Sequence, residues 1–177
     1  NSFEGGAPNN GFTNETLRDA VGLWVNDRDQ AIRQYGDINT WNVSQVTDMN
    51  QLFRNHRNFN DDISNWDVGN VTTMQEMFSY ASRFNQPLEQ WNVGNVTNML
   101  HMFYYARAFN GPLNGWERTD STLGNVTNME AMFMNAIAFN QPLEQWNVSN
   151  VTDMRSMFVG ATAFNQPLQQ WNVGKVT

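Results

Sequence analysis

The two histidines, His56 and His101, are where acid–base chemistry would first be sought. Neither has a Ser or Asp at the spacing of a known catalytic motif, and no cysteine is present. Thiol nucleophiles, zinc–thiolate sites and disulfides are thereby excluded. No G-x-S-x-G, P-loop, dinucleotide fingerprint or H-E-x-x-H occurs. Asp61, Asp62 and Asp67 fall close enough in the chain to hold a weak Ca²⁺, but they match no calcium-loop spacing and read more plainly as a solvated acidic edge. The expectation is a non-enzymatic protein with no cofactor and no metal.

What remains for recognition is a recurring set of amides. Thr40 and Asn42, Asn65 and Asp67, Gln90 and Asn92, Gly115 and Glu117, Gln145 and Asn147, and Gln170 and Asn172 flank a tryptophan each time. Amides both donate and accept, so such a face can hydrogen-bond sugars or extended peptides. The plain alternative is a solvated face that avoids charge because like charges would stack.

Those residues are positioned by an internal repeat. Tryptophans at 41, 66, 91, 116, 146 and 171 are spaced by 25, 25, 25, 30 and 25 residues. Aligning on them superposes Trp91-Asn92-Val93-Gly94-Asn95-Val96-Thr97-Asn98-Met99, then Met102-Phe103, Ala106, Phe109-Asn110 and Pro112-Leu113, on the other copies. The spacing Leu88-x-x-Trp91-x-Val93-x-x-Val96 is the strand signature of leucine-rich repeats. Met99, Met102, Phe103 and Ala106 have the spacing of one helix face, with Thr97 as its N-cap. The sequence thus predicts an α/β repeat solenoid: a leucine-rich-repeat-like right-handed coil with one short parallel strand and one short helix per repeat of about 25 residues. An Asn ladder (Asn60, Asn85, Asn110, Asn140, Asn165) is expected to satisfy turn backbone between coils.

Residues 13–38 break the pattern. Leu17, Ala20, Val21 and Trp24 have helical spacing after Thr13 or Asn14, and a second helix from Asp27 to Tyr35 would take Asn26 as its N-cap and stop at Gly36. Three parts follow: an extension at 1–12, a helical cap at 13–38, and the tandem repeats at 39–177, with a partial sixth unit from Trp171. That last unit would expose Trp171, Val173 and Val176, an end fit to take further repeats or another chain. Five extra residues in the fourth unit, within 117–122, read as a tolerated loop or a binding loop.

Net charge is −7 and no Lys/Arg cluster offsets it, which argues against nucleic acid and anionic lipid. No apolar run approaches the about 20 residues that span a bilayer, so direct membrane insertion is not expected. N-x-S/T sites at Asn14, Asn42, Asn70, Asn95, Asn125, Asn147 and Asn150 serve either glycosylation or a turn. A Thr row (Thr47, Thr72, Thr97, Thr127, Thr152) would suit ice binding only with uncommitted hydroxyls.

The units Trp-Asn-Val-Ser-Asn-Val-Thr-Asp-Met (146–154), Met-Phe (157–158) and Phe-Asn-Gln-Pro-Leu (164–168) resemble the short tandem repeat of BspA-like surface proteins of bacteria, mycoplasmas and some protists. Leu-x-x-Ala-Val-x-x-Trp (17–24) resembles the segment that often precedes those arrays. The resemblance implies an extracellular or cell-surface protein of leucine-rich-repeat type, with adhesion to a protein or glycan on a cell or matrix as the usual role. It carries no catalytic residues and names no ligand. The competing expectation is a rod or filament subunit that assembles end to end.

Overall fold

The computed structural model describes residues 11–118 and 122–177. Thr13 opens helix α1 (Asn14–Asn26) with a capping box: its hydroxyl accepts from the Thr16 N–H at 3.2 Å, and its own N–H donates to the Thr16 hydroxyl at 2.8 Å. Leu17, Ala20, Val21 and Trp24 form the buried face of α1. Asp27 then does two jobs. Its N–H closes α1 on the Leu23 carbonyl, and its carboxylate caps α2 (Arg28–Tyr35) through the Gln30 N–H at 3.1 Å. The cap is therefore Asp27, since Asn26 is still the last residue of α1. Gly36, at φ +76°, ends α2.

The expected α/β solenoid, with a strand and a helix in every repeat, is not what the chain forms. Among the described residues the only regular elements are α1, α2 and two short 3₁₀ turns, Ile38–Thr40 and Asn114–Glu117. No strand is present among the described residues; their pairing between repeats is reduced to single parallel bridges, Asp48 to Thr73, Thr73 to Asn98, Asn98 to Asn128 and Asn128 to Asp153. The reason lies in the spacings that suggested strands. Leu-x-x-Trp and Val-x-x-Val are the ends of tight turns: the Trp91 N–H returns to the Leu88 carbonyl and the Val96 N–H to Val93, each at 3.0 Å. A chain that turns on both sides of each bridge cannot extend it into a ladder.

The expected repeat helix fails for want of room. Phe53, Phe78, Phe103, Phe133 and Phe158 lie ring over ring at 5.6, 5.5, 5.6 and 5.7 Å. Parallel helices need about 8–10 Å between axes. The segment after each bridge is instead a run of turns with a left-handed residue at every fourth position: Gln51 and Asn55, Glu76 and Tyr80, His101 and Tyr105, Ala131 and Asn135, Ser156 and Gly160. This geometry turns alternate N–H groups outward. Those of Met49, Gln51, Phe53 and Asn55 donate to the carbonyls of Thr73, Gln75, Met77 and Ser79 in the next repeat, and the pattern recurs up the chain. Met99, Met102, Phe103 and Ala106 still share the core, all fully buried.

Like residues therefore stand over like. Each indole N–H explains why the position is Trp: Trp66, Trp91, Trp116, Trp146 and Trp171 donate to the carbonyls of Ile38, Ile63, Leu88, Leu113 and Leu143 in the preceding repeat, at 2.8–3.1 Å. Phe or Leu would fill the space but remove this bond between repeats, leaving each carbonyl to the backbone N–H of its own turn. The Asn ladder is present: the N–H groups of Asn85, Asn110, Asn140 and Asn165 donate to Oδ1 of Asn60, Asn85, Asn110 and Asn140 at 2.8–2.9 Å. Across the fourth repeat the stack continues past the five extra residues, with Trp116 over Trp146 at 5.7 Å. Of those, 119–121 lie outside the described residues.

Helix α1 completes the first repeat. In later repeats the Thr N–H donates to the Thr carbonyl one repeat back; the Thr47 N–H, with no earlier repeat below it, donates to Oδ1 of Asn14 at 2.9 Å. Arg18 donates to the Asn50 carbonyl and to Asp48. Side chains of α1 thus stand in for the backbone of a missing neighbour.

Candidate functional site

The amide face has no strand to project from, because each of its tryptophan-flanking pairs sits in a turn. Asn42, Asn65, Asp67, Gln90, Asn92, Gln145, Asn147, Gln170 and Asn172 are exposed, and Glu117 is half-buried. The residue after each Trp folds back on its own backbone: Oδ1 of Asn42, Asp67, Asn92, Asn147 and Asn172 accepts the N–H two residues on, at 2.9–3.2 Å. That turn fixes the side chain and commits its oxygen. The Nδ2 groups of Asn42, Asn92, Asn147 and Asn172 have no partner among the described residues. Glu117 differs: one carboxylate oxygen accepts from the N–H groups of both Leu123 and Asn147, tying the inserted loop to the fifth repeat.

A second amide row, not picked out for recognition by the sequence, runs beside the first. Asn70, Asn95, Asn125 and Asn150 donate Nδ2 to the carbonyls of Ser44, Gly69, Gly94 and Gly124, all at 2.7 Å. The signal for it was an Asn four residues after Trp66, Trp91 and Trp146, and nine after Trp116 where the unit is longer. These four are also N-x-S/T sites, and the nitrogen a glycan would occupy is spent holding neighbouring repeats together. Asn14 is spent likewise, on Thr47. The turn reading of the motif is the one these residues follow.

The Thr row caps no helix, because none follows it. Thr72, Thr97, Thr127, Thr152 and Thr177 each donate their hydroxyl to the Thr carbonyl one repeat back, at 3.2–3.4 Å. The committed hydroxyls remove the basis for an ice-binding reading.

A cleft of about 310 Å³ opens where the helices meet the first repeat, lined by Trp24, Arg28, His56, Arg57, Phe59 and Asp61 among others. Asp61 is held there through one oxygen: Oδ2 accepts from the Trp24 indole at 3.0 Å and from Arg28 at 2.7 Å. Half-burial beside the cleft holds the His56 imidazole below its ordinary pKa. Asp62 and Asp67 do not join Asp61. The Ser64 hydroxyl and then the Ser64 N–H, the latter at 2.9 Å, donate to Asp62 and hold its carboxyl below the ordinary range, and Asp67 caps Gly69. Among the described residues no three His, Cys, Asp or Glu side chains are grouped to hold a metal ion.

At the other end Trp171 stacks on Trp146 at 6.4 Å and is partly buried, as is Val176, while Val173 is 50 % exposed. No helix among the described residues is long and apolar enough to cross a membrane.

No curated protein and no solved structure matches the chain. Residues 26–123 and 120–177 match the family described as Mycoplasma protein of unknown function, DUF285. That match spans the stacked tryptophan repeats and the bridges between them, and the chain belongs to this family.

Proposed function

We propose that this chain is a non-enzymatic, extracellular or cell-surface binding module that holds a protein or glycan ligand through its amide face. The observation that carries the reading is the row of Asn42, Asn92, Asn147 and Asn172. Each is locked by its own turn with Nδ2 uncommitted, so a row of donors is held ready at little entropic cost to binding. The resemblance of the repeat to that of BspA-like surface proteins supports the adhesive role and the location. Turnover is not part of the reading, and Asp61, the carboxylate in the cleft, is held by Trp24 and Arg28.

The test is a double substitution, Asn92→Asp with Asn147→Asp, screened on arrays of matrix proteins and glycans. Asp keeps the turn-closing oxygen, as Asp67 does with Gly69 at 3.0 Å, and deletes the donor. Binding by the wild type that is lost in the variant, at an unchanged melting temperature, is the expected result. Unchanged binding overturns the reading. End-to-end assembly through Trp171, Val173 and Val176 would need the first-repeat edge of a second copy. Asn14 and Arg18 already occupy that edge, so we do not adopt it.

A further inference from the structure

An aromatic and cationic edge lies apart from the amide face. Tyr80, Tyr104 and Tyr105 gather across two adjacent repeats: Tyr80 stacks on Tyr105 at 5.0 Å, and Tyr104 meets both edge-on, at 5.5 and 4.7 Å. His101 stacks on Tyr104 at 4.7 Å. All four remain partly exposed. The fold does not need aromatic side chains there, because the same two positions in other repeats hold Arg54-Asn55, Met134-Asn135 and Val159-Gly160. Aromatic surface that packing does not require is a mark of recognition.

Three arginines run beside it. Arg57, Arg83 and Arg107 are exposed and belong to consecutive repeats. The Arg83 N–H donates to the Arg57 carbonyl at 3.2 Å and the Ala108 N–H to Ser82 at 3.1 Å, which sets the three in neighbouring rows. The Arg107 guanidinium lies 5.7 Å from the centre of the Tyr105 ring. None of the three pairs with a carboxylate among the described residues, whereas Arg18, Arg28, Arg54 and Arg155 do. In a chain of net charge −7 this is a local reversal of sign.

We propose that this edge binds an acidic glycan chain lying along the stack. The C–H face of a pyranose meets the negative face of a phenol ring, and its carboxylate or sulfate takes the two-pronged hydrogen bonding that guanidinium offers. Rows about one pyranose apart (5.5 Å between Phe78 and Phe103) present one arginine per repeat to such a chain. A peptide anchor would want a pocket, and none of the tyrosines lines the cleft described above. A nucleic acid also offers rings and anions, but its charge density is opposed by the net charge of the chain. The proposal uses none of the amide-face residues, so the two readings fail separately.

The test is calorimetric titration of the full chain with hyaluronan oligosaccharides, dextran sulfate and neutral dextran, at low and physiological salt. The first two separate carboxylate from sulfate as the preferred anion. At least one of them binds, more weakly as salt rises, and neutral dextran does not. Arg83→Gln with Arg107→Gln lowers affinity about tenfold or more. These side chains take no part in the stack, so the variant folds. Tyr105→Ala lowers affinity as well, and Arg33→Gln, at an exposed arginine of α2 outside this edge, leaves it unchanged. The proposal is overturned if neither acidic probe binds, if neutral dextran binds equally, if an oligothymidylate binds as tightly, or if the arginine variant binds like the wild type.

Discussion

Helix α1 and residues 48–56 of the first repeat lie against each other, joined by Arg18, and they satisfy their backbones in opposite ways. The N–H groups of α1 turn back four residues along the same segment. Those of Met49, Gln51, Phe53 and Asn55 cross to another repeat. Yet α1 and the equivalent segment of the third repeat carry the same apolar spacing, Leu17-Ala20-Val21-Trp24 against Met99-Met102-Phe103-Ala106. Periodicity reports which side chains share a face; it does not report where the hydrogen bonds go. A segment alone at the edge can be a helix, while one copied so closely that its phenyl rings repeat at 5.5–5.9 Å must bond sideways.

The hardest blow to the sideways-bonded region is at an indole. Trp116→Ala is expected to cost about 3–5 kcal/mol through the cavity it leaves. Trp116→Phe should cost about 0.5–1.5 kcal/mol, the net worth of one hydrogen bond, since the Leu88 carbonyl loses the indole donor at 2.9 Å and keeps the Trp91 N–H of its own turn. Urea denaturation measures both. Equal stability of wild type and the Phe variant would mean that ring volume, and not the hydrogen bond, selects Trp.

In the locally bonded region the largest single contribution is the cap. Thr13→Ala should cost about 1 kcal/mol. By hydrogen exchange, faster opening should appear in α1 and at Thr47 and Asp48, which Asn14 covers, and not at the fourth repeat. A uniform change along the chain would mean that the two regions open together.

The sign of a glycine exchange separates the two backbones most directly. Gly22→Ala, inside α1 with open space around the new Cβ, should stabilise by about 0.5–1 kcal/mol. Ser156→Gly, at an exposed residue with φ +56°, should also stabilise, by about 0.5–1 kcal/mol, because it relieves a left-handed conformation. In a helix the second exchange would destabilise. Thermal melts of the two variants decide it.

The smallest effect is at the junction of the regions. Burial lowers the pKa of His56, so the unfolded chain takes up that proton more readily than the folded one. Stability should therefore fall as pH drops below the ordinary value of about 6.5. His56→Gln should remove that part of the slope, read from urea midpoints at pH 7.5 and 5.5. An unchanged slope would place the pH sensitivity elsewhere.

Much of this was legible before any coordinates. The tryptophan spacing determined which residues stand over which, since identical apolar units bury themselves best by stacking in register. The start of α1 and the end of α2 followed from Thr13 and Gly36, whose effects are local, whereas the junction between the helices lies one residue later than the expected Asn26 cap. The Asn60–Asn165 row was readable because an amide repeated at a turn has an obvious use. The run of left-handed residues was hidden, because Gln51, Glu76, His101, Ala131 and Ser156 carry no turn signature. So was the tyrosine and arginine edge, whose members stand in different repeats at unlike offsets.

Sequence alone therefore determined the repeat, the residues of its core and the helical segment before it. Tertiary structure decided the path of the backbone inside each repeat. The rise between copies is a property of the assembled stack: it leaves too little room for helices side by side, and only there do outward N–H groups find the carbonyls that make left-handed turns tolerable.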